Sequence, residues 1–280
     1  MFWLMLLLLV GLGCTEYHDT PHTYIPMTGE YGLINQQSQS HRLYKDSVTV
    51  NGDTIQVRTK HIEIIDGVEV LIPDVYNQTM YTYSGGFPAG WKWEIITDQL
   101  YNKGFPQIFI GQNPWRPGWR TTDKFPICIS DIKNLIVSFD TEMDITIQQE
   151  NNLTFDLWLV SDDTPCKDDL TNELMIWMMD KIPHQDNTGD GEVVLIGEEE
   201  WYFVSRPHAP PWKHNFNMFW SDREVYSGEI DLMSFINKLI ELGIATEDEY
   251  VSNVQLGTEL WRGVGEIQIN KFDVQLDTRR

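Results

Sequence analysis

Short runs in which apolar and polar residues alternate dominate this chain, and a period of two is the pattern of strands with one buried face. Ser47 to Val50 and Thr54 to Val57 alternate on either side of Asn51-Gly52, a dipeptide that favours a tight hairpin. His61 to Ile65 and Val68 to Ile72 repeat the arrangement around Asp66-Gly67. Further strand-like runs fall at 106–111, 134–140, 152–160, 172–179, 191–197, 200–205, 215–220, 250–257 and 265–276, punctuated by Gly, Pro, Asn and Asp. Only the stretch 229–246 changes period: Leu232, Phe235, Ile236, Leu239 and Ile240 recur at helical spacing, with Asp231 placed to cap the start and Gly243 to end the helix. Many short strands without interleaved helices predict an all-β, two-sheet sandwich with one α-helix packed outside it.

The first 14 residues, MFWLMLLLLVGLGC, are uncharged and apolar. They are shorter than the roughly 20 apolar residues that span a bilayer, and they read as the apolar region of a signal peptide, although no Lys or Arg precedes it. Cys14 follows Gly11-Leu12-Gly13 and resembles a bacterial lipoprotein site, so a lipidated Cys14, plain secretion and a retained N-terminal anchor all stay open. Residues 15–45 are polar and aperiodic and read as a flexible spacer. The folded domain is expected over 46–280, in an extracellular setting and as a monomer.

Composition narrows the function. The chain has 42 acidic against 20 basic residues, a net charge of −22, which repels phosphate backbones and argues against nucleic acid. A neutral polysaccharide is indifferent to that field. The 11 Trp and 11 Tyr suit sugar-binding faces, although most are expected in the core. Cys128 and Cys166 could pair in an oxidising compartment, and neither lies in a zinc-type cluster. Asp186, Thr188 and Asp190 have the opening spacing of a calcium loop, but Gly197 stands where the closing Glu belongs, so a turn is the preferred reading. No metal and no cofactor are expected.

Three acids sit beside Trp on strand faces. Alternation puts Glu173, Met175 and Trp177 on one face, over Leu174, Ile176 and Met178. It puts Gln255, Gly257, Glu259 and Trp261 together, with Leu256 and Leu260 facing the core, and it pairs Asp156 with Trp158. Gly257 reads as room for a close substrate approach. Cleavage of a glycosidic bond needs two carboxyl groups, one protonated and one ionised, so this set fits a glycan cleft.

These segments, in this order, resemble glycoside hydrolase family 12, the β-jelly-roll endoglucanases. The resemblance rests on Glu173-Leu-Met-Ile-Trp177, Gly257-Thr-Glu-Leu260, Phe155-Asp-Leu-Trp-Leu159, Phe105-Pro-Gln-Ile-Phe-Ile-Gly111 and the helix end Leu242 to Thr246, over roughly 70–276. It departs from the family where Leu260 replaces a Pro and where Tyr76, in Asp74-Val75-Tyr76-Asn77, stands for a cleft Trp. The resemblance implies a jelly roll with a concave cleft and a retaining endo-β-1,4-glucanase, with Glu173 as nucleophile, Glu259 as acid/base and Asp156 supporting the nucleophile. It implies Met175, Trp177, Tyr76 and Trp115 as sugar contacts and a β-glucan as substrate. Xyloglucan hydrolysis, transglycosylation and a catalytically silent glycan-binding jelly roll remain as alternatives.

Overall fold

The computed structural model describes residues 23–36, 41–51, 54–65, 68–96, 104–116, 118–181, 191–208 and 213–279, with side chains described except at 23, 35, 36, 41–76 and 145–149. Cys14, the expected signal segment 1–14 and the acidic run 184–190 lie outside the described residues, as does the side chain of Tyr76.

The strands, in chain order, are β1 (Thr23–Pro26), β2 (Gly32–Gln36), β3 (His41–Asn51), β4 (Thr54–Ile65), β5 (Val68–Tyr83), β6 (Gly86–Ile95), β7 (Phe105–Gly111), β8 (Ile127–Cys128), β9 (Ile132–Val160), β10 (Leu170–Asp180), β11 (Glu192–Ile196), β12 (Glu199–Pro207), β13 (Asn215–Trp220), β14 (Ser227–Asp231), β15 (Tyr250–Val251), β16 (Asn253–Gly257) and β17 (Leu260–Thr278). The helix α1 (Leu232–Glu241) follows β14 directly. Both predicted hairpins form, with Asn51 opposite Thr54 and Ile65 opposite Val68.

The strands build two stacked sheets. The front sheet runs β1-β2-β7-β16-β9-β10-β13-β12-β11, antiparallel except for the parallel pair β10/β13. The back sheet runs β3-β4-β5-β6-β17-β9-β14, all antiparallel. Strand β9 belongs to both. It pairs with β17 in the back sheet as far as Asn151 and with β10 in the front sheet from Asn152 onward. The chain changes sheets a second time at Thr258-Glu259, between β16 in front and β17 behind. The two crossings are neighbours, because Leu260 pairs with Asn151 and Gly257 with Thr154.

Alternation explains which side chains fill the space between the sheets. Leu153, Phe155, Leu157 and Leu159 of β9, Leu174 and Ile176 of β10, and Val254 and Leu256 of β16 meet Trp91, Trp93, Val137, Ile267 and Ile269 of the back sheet in one apolar core. Phe139 and Phe155, from the two halves of β9, meet edge to face across that core at 5.1 Å. Each such large buried side chain contributes about 1.5–3 kcal/mol from area removed from water. Helix α1 packs on the core-facing side of β12 and β13, with Phe235 edge-on to Trp201 and Phe219 at 5.0 and 5.2 Å. Its expected cap is in place, Asp231 accepting from the Met233 amide at 3.0 Å, and Gly243 ends it with φ +70°.

Two expectations change. Within the expected spacer 15–45, residues 23–26 and 32–36 are strands of the front sheet, with Ile25 and Leu33 in the core, and 41–45 already belong to β3; strands of four and five residues are too short to display a period. Cys128 carries a free thiol and so does not pair with Cys166. Its sulfur lies 3.1 Å from Ser130 Oγ and 3.4 Å from the Glu247 carbonyl, which it donates to.

Candidate active site

The outer face of the front sheet carries the chemistry. Along β9, Asn152, Thr154, Asp156 and Trp158 point away from the core, opposite Leu153, Phe155, Leu157 and Leu159. Along β10, Glu173, Met175 and Trp177 do the same, with Leu174, Ile176 and Met178 in the core as the alternation predicts. Register then fixes the neighbours. Glu173 stands between Trp158 of β9 and Phe216 of β13, and Met175 stands between Asp156 and Met218.

Glu173 is held from beneath and from one side. Asn217 donates to its backbone carbonyl at 3.1 Å and to Asn172 Oδ1 at 3.1 Å, and Asn172 donates onward to Glu249 at 3.1 Å. This buried amide network ties β10 to β13 where the strand presents the acid. Beside the carboxylate lies His214, itself buried, with Nε2 3.7 Å from Glu173 Oε2. Trp115 and Trp158 meet the His214 ring edge-on at 6.0 and 5.6 Å.

Asp156 is buried, and its Oδ1 has no hydrogen-bond partner. Burial pushes its carboxyl well above the usual aspartate range, and the charges of Glu173 and Glu259 push it further the same way. Asp156 therefore keeps its proton more readily than an ordinary aspartate.

Glu259 departs from the expected strand face. It sits at the second crossing, just beyond the end of β16. Asn152 fixes it there twice, accepting from the Glu259 amide at 2.7 Å and donating to Oε2 at 2.6 Å. The preceding residue is pinned from both sheets: Trp91 Nε1 of β6 donates to Thr258 Oγ1 at 2.8 Å, and the Thr258 amide donates to the Pro106 carbonyl of β7 at 3.1 Å. Gly257 serves a different purpose from the one its sequence suggests. A Cβ there would stand 2.5 Å from Gln107 Cβ and 2.7 Å from the Pro106 carbonyl oxygen, so the missing side chain lets β7 approach rather than a ligand.

Of the expected sugar contacts, Met175 and Trp177 lie on this face in a cluster with Met218 and Trp220, flanked by Tyr202, Phe216 and Trp261. Trp115 lies at the other side of Glu173, packed on Trp158 at 5.4 Å. Trp91 and Trp93 are both core. Sequence reasoning missed Asn152, His214 and Phe216-Met218-Trp220. The last three alternate within Asn215–Trp220, and that period was the available signal. Asn152 and His214 carry no local signal, because each matters only through a partner distant in the chain. Among the described residues, Glu173, His208 and His214 form a group whose ligand atoms all lie within 4.8 Å of one another and could hold a metal ion.

The model of the family described as Glycosyl hydrolase family 12 matches residues 70–277. Endoglucanase S of Pectobacterium parmentieri is 26% identical over 208 residues, covering 72% of this chain and 76% of that protein. Among solved structures, the native family 12 xyloglucanase from Bacillus licheniformis superposes with a TM-score of 0.66 at 22% identity, covering 85% of this chain and 100% of that one. A ligand complex of a family 12 xyloglucanase from the same organism gives a TM-score of 0.65 at 24% identity, over 87% and 99%.

Proposed function

Because the chain belongs to glycosyl hydrolase family 12, and is thus a glycoside hydrolase acting on β-glucans, we propose that it is an extracellular endo-β-1,4-glucanase that cleaves internal bonds with retention. The observation that carries the reading is the outer face of β9, which reaches both acids: Asn152 donates to Glu259 Oε2 at 2.6 Å, and Trp158 is the register partner of Glu173. Asp156 lies buried on that face between those two residues, and glycosidic cleavage needs two carboxyl groups at one site.

Glu173 is the nucleophile. It attacks the anomeric carbon as the leaving oxygen takes the proton of Glu259, giving a glycosyl ester on Glu173. Glu259 then removes a proton from the incoming water, which displaces Glu173 and restores both groups. Retaining chemistry of this kind sets the two carboxyl groups roughly 5–5.5 Å apart. Asp156, raised by burial and by the charges of both glutamates, supports the nucleophile by tuning the charge of Glu173. In the aromatic cluster on this face Trp177 and Trp220 are buried, and a sugar face would meet the half-buried Tyr202, stacked on Trp220 at 5.4 Å, and Trp261. The apolar first residues support export from the cell.

The test is hydrolysis of carboxymethylcellulose, barley β-glucan, xyloglucan and xylan, with proton NMR of the first product. The β-anomer should appear first, and Glu173→Gln should lower turnover by at least about 10³-fold. Initial release of the α-anomer, or a Glu173→Gln enzyme of near wild-type rate, would overturn the reading.

A further inference from the structure

The hairpin that joins β12 to β13 has a His on each leg, His208 just after β12 and His214 just before β13. Their legs are tied by the His208 amide donating to the His214 carbonyl at 3.0 Å, and the two rings lie 4.8 Å apart. Glu173 completes the set, with its Oε2 3.7 Å from His214 Nε2 and all three ligand atoms within 4.8 Å of one another.

Two imidazoles and a carboxylate are the donor types preferred by zinc and its transition-metal neighbours, while calcium and magnesium take oxygen-rich shells. Three protein ligands leave a fourth position open on zinc. Zinc–ligand bonds of about 2.0–2.2 Å put neighbouring ligand atoms roughly 3.3 Å apart. The three atoms here therefore need to close by only an ångström or so. His214 and Glu173 are already near that separation, and His208, half-exposed, can turn to meet them.

We propose that Glu173, His208 and His214 form a binding site for a divalent transition-metal ion of the zinc class, and that the ion inhibits the enzyme reversibly by occupying the nucleophile. The binding site rests on geometry alone. Its inhibitory consequence rests on the reading of Glu173 as nucleophile. The ion is not a cofactor of the reaction: it coordinates the oxygen that would attack the sugar, so metal and glucan compete for one carboxylate.

Zinc chloride titrated calorimetrically into the purified, chelator-treated enzyme should show one ion bound per chain. His208→Ala and His214→Gln should each weaken binding by at least about tenfold, since even the outer partners of metal ligands cost 10- to 100-fold. Glu173→Gln should weaken it similarly. His208 is the primary variant because it is half-exposed, and thermal melting without zinc verifies that each variant folds. Zinc should inhibit β-glucan hydrolysis competitively, and EDTA should restore the rate. In His208→Ala the inhibition constant, taken relative to that variant's own zinc-free rate, should rise in step with its dissociation constant.

Absence of binding at millimolar zinc, or equal affinity in folded His208→Ala and wild type, would overturn the site. Binding without inhibition would overturn its consequence. If zinc binds as expected but Glu173→Gln retains full activity, the metal site stands and the nucleophile assignment falls.

Discussion

Asn152 grips Glu259 at both ends, accepting from its amide at 2.7 Å and donating to its carboxylate at 2.6 Å. Asn152 is the first residue of β9 to join the front sheet, and Glu259 sits where the chain passes back to the rear. The bond thus spans two neighbouring crossings. Asn152→Ala leaves the carboxylate without its fixed donor and frees the loop backbone. Misplacement of a reacting group by about 1 Å can cost on the order of 10²-fold. The expected result is a fall in kcat of roughly 10- to 100-fold with KM little changed, read by steady-state kinetics on barley β-glucan. A KM effect without a kcat effect would place Asn152 in substrate binding instead.

Asp156→Asn separates stability from turnover. The folded carboxyl titrates well above the 3.8 of an ordinary aspartate, through burial first and the two glutamates second. Between those values the folded state binds more protons than the unfolded one, so this group's contribution to stability falls as pH rises. Asn mimics the protonated acid and removes the dependence. The variant should melt higher than wild type at neutral pH, with the gain shrinking as pH drops towards the ordinary aspartate range. Its turnover should fall without being abolished, and its pH–rate profile should change shape. A stability difference independent of pH would reject the argument.

Trp91→Phe deletes the donor to Thr258 Oγ1 and leaves part of the buried indole's space unfilled, which adds a packing loss to the lost bond. The buried hydroxyl loses a partner at a cost of about 1–3 kcal/mol, to be measured by urea denaturation. Activity should also fall, since Thr258 immediately precedes Glu259. A loss of stability with unaltered kcat would show that the back sheet supports the fold but not the position of the acid.

Gly257→Ala forces a methyl against Pro106 and Gln107 of β7, at separations of 2.5–2.7 Å that backbone atoms cannot relieve by rotation. Overpacking of this kind costs typically about 1–3 kcal/mol. The expected outcome is a lowered melting temperature and a lowered kcat together. If the position served only substrate approach, KM would rise while the melting temperature stayed put.

Much of this was legible in the sequence because alternation is a local property. Glu173, Met175 and Trp177 could be read outward from Leu174, Ile176 and Met178 with no knowledge of partners, and the structure keeps that division. Asp231 and Gly243 likewise act on their own helix. Glu259 was assigned a strand face because its neighbours alternate, yet it occupies a crossing whose existence depends on which sheet β17 joins. Asn152 holds Glu259 from 107 positions away, and His214 approaches Glu173 from just before β13, so neither role has a local signature. The strands at 23–36 were hidden for a simpler reason: brevity leaves no period to detect.

The double membership of β9 has a consequence for how the molecule comes apart. A single run of 29 residues supplies an interior strand to each layer, and its two halves close on one another through Phe139 and Phe155. Neither layer can detach and leave its partner intact, since each would carry away half of the strand the other is built around. Local opening is therefore confined to peripheral hairpins, and the slowest-exchanging amides of both layers should be released in one cooperative event. Amides along β9 from Val137 to Leu159 should share a single opening free energy, equal to that of global unfolding.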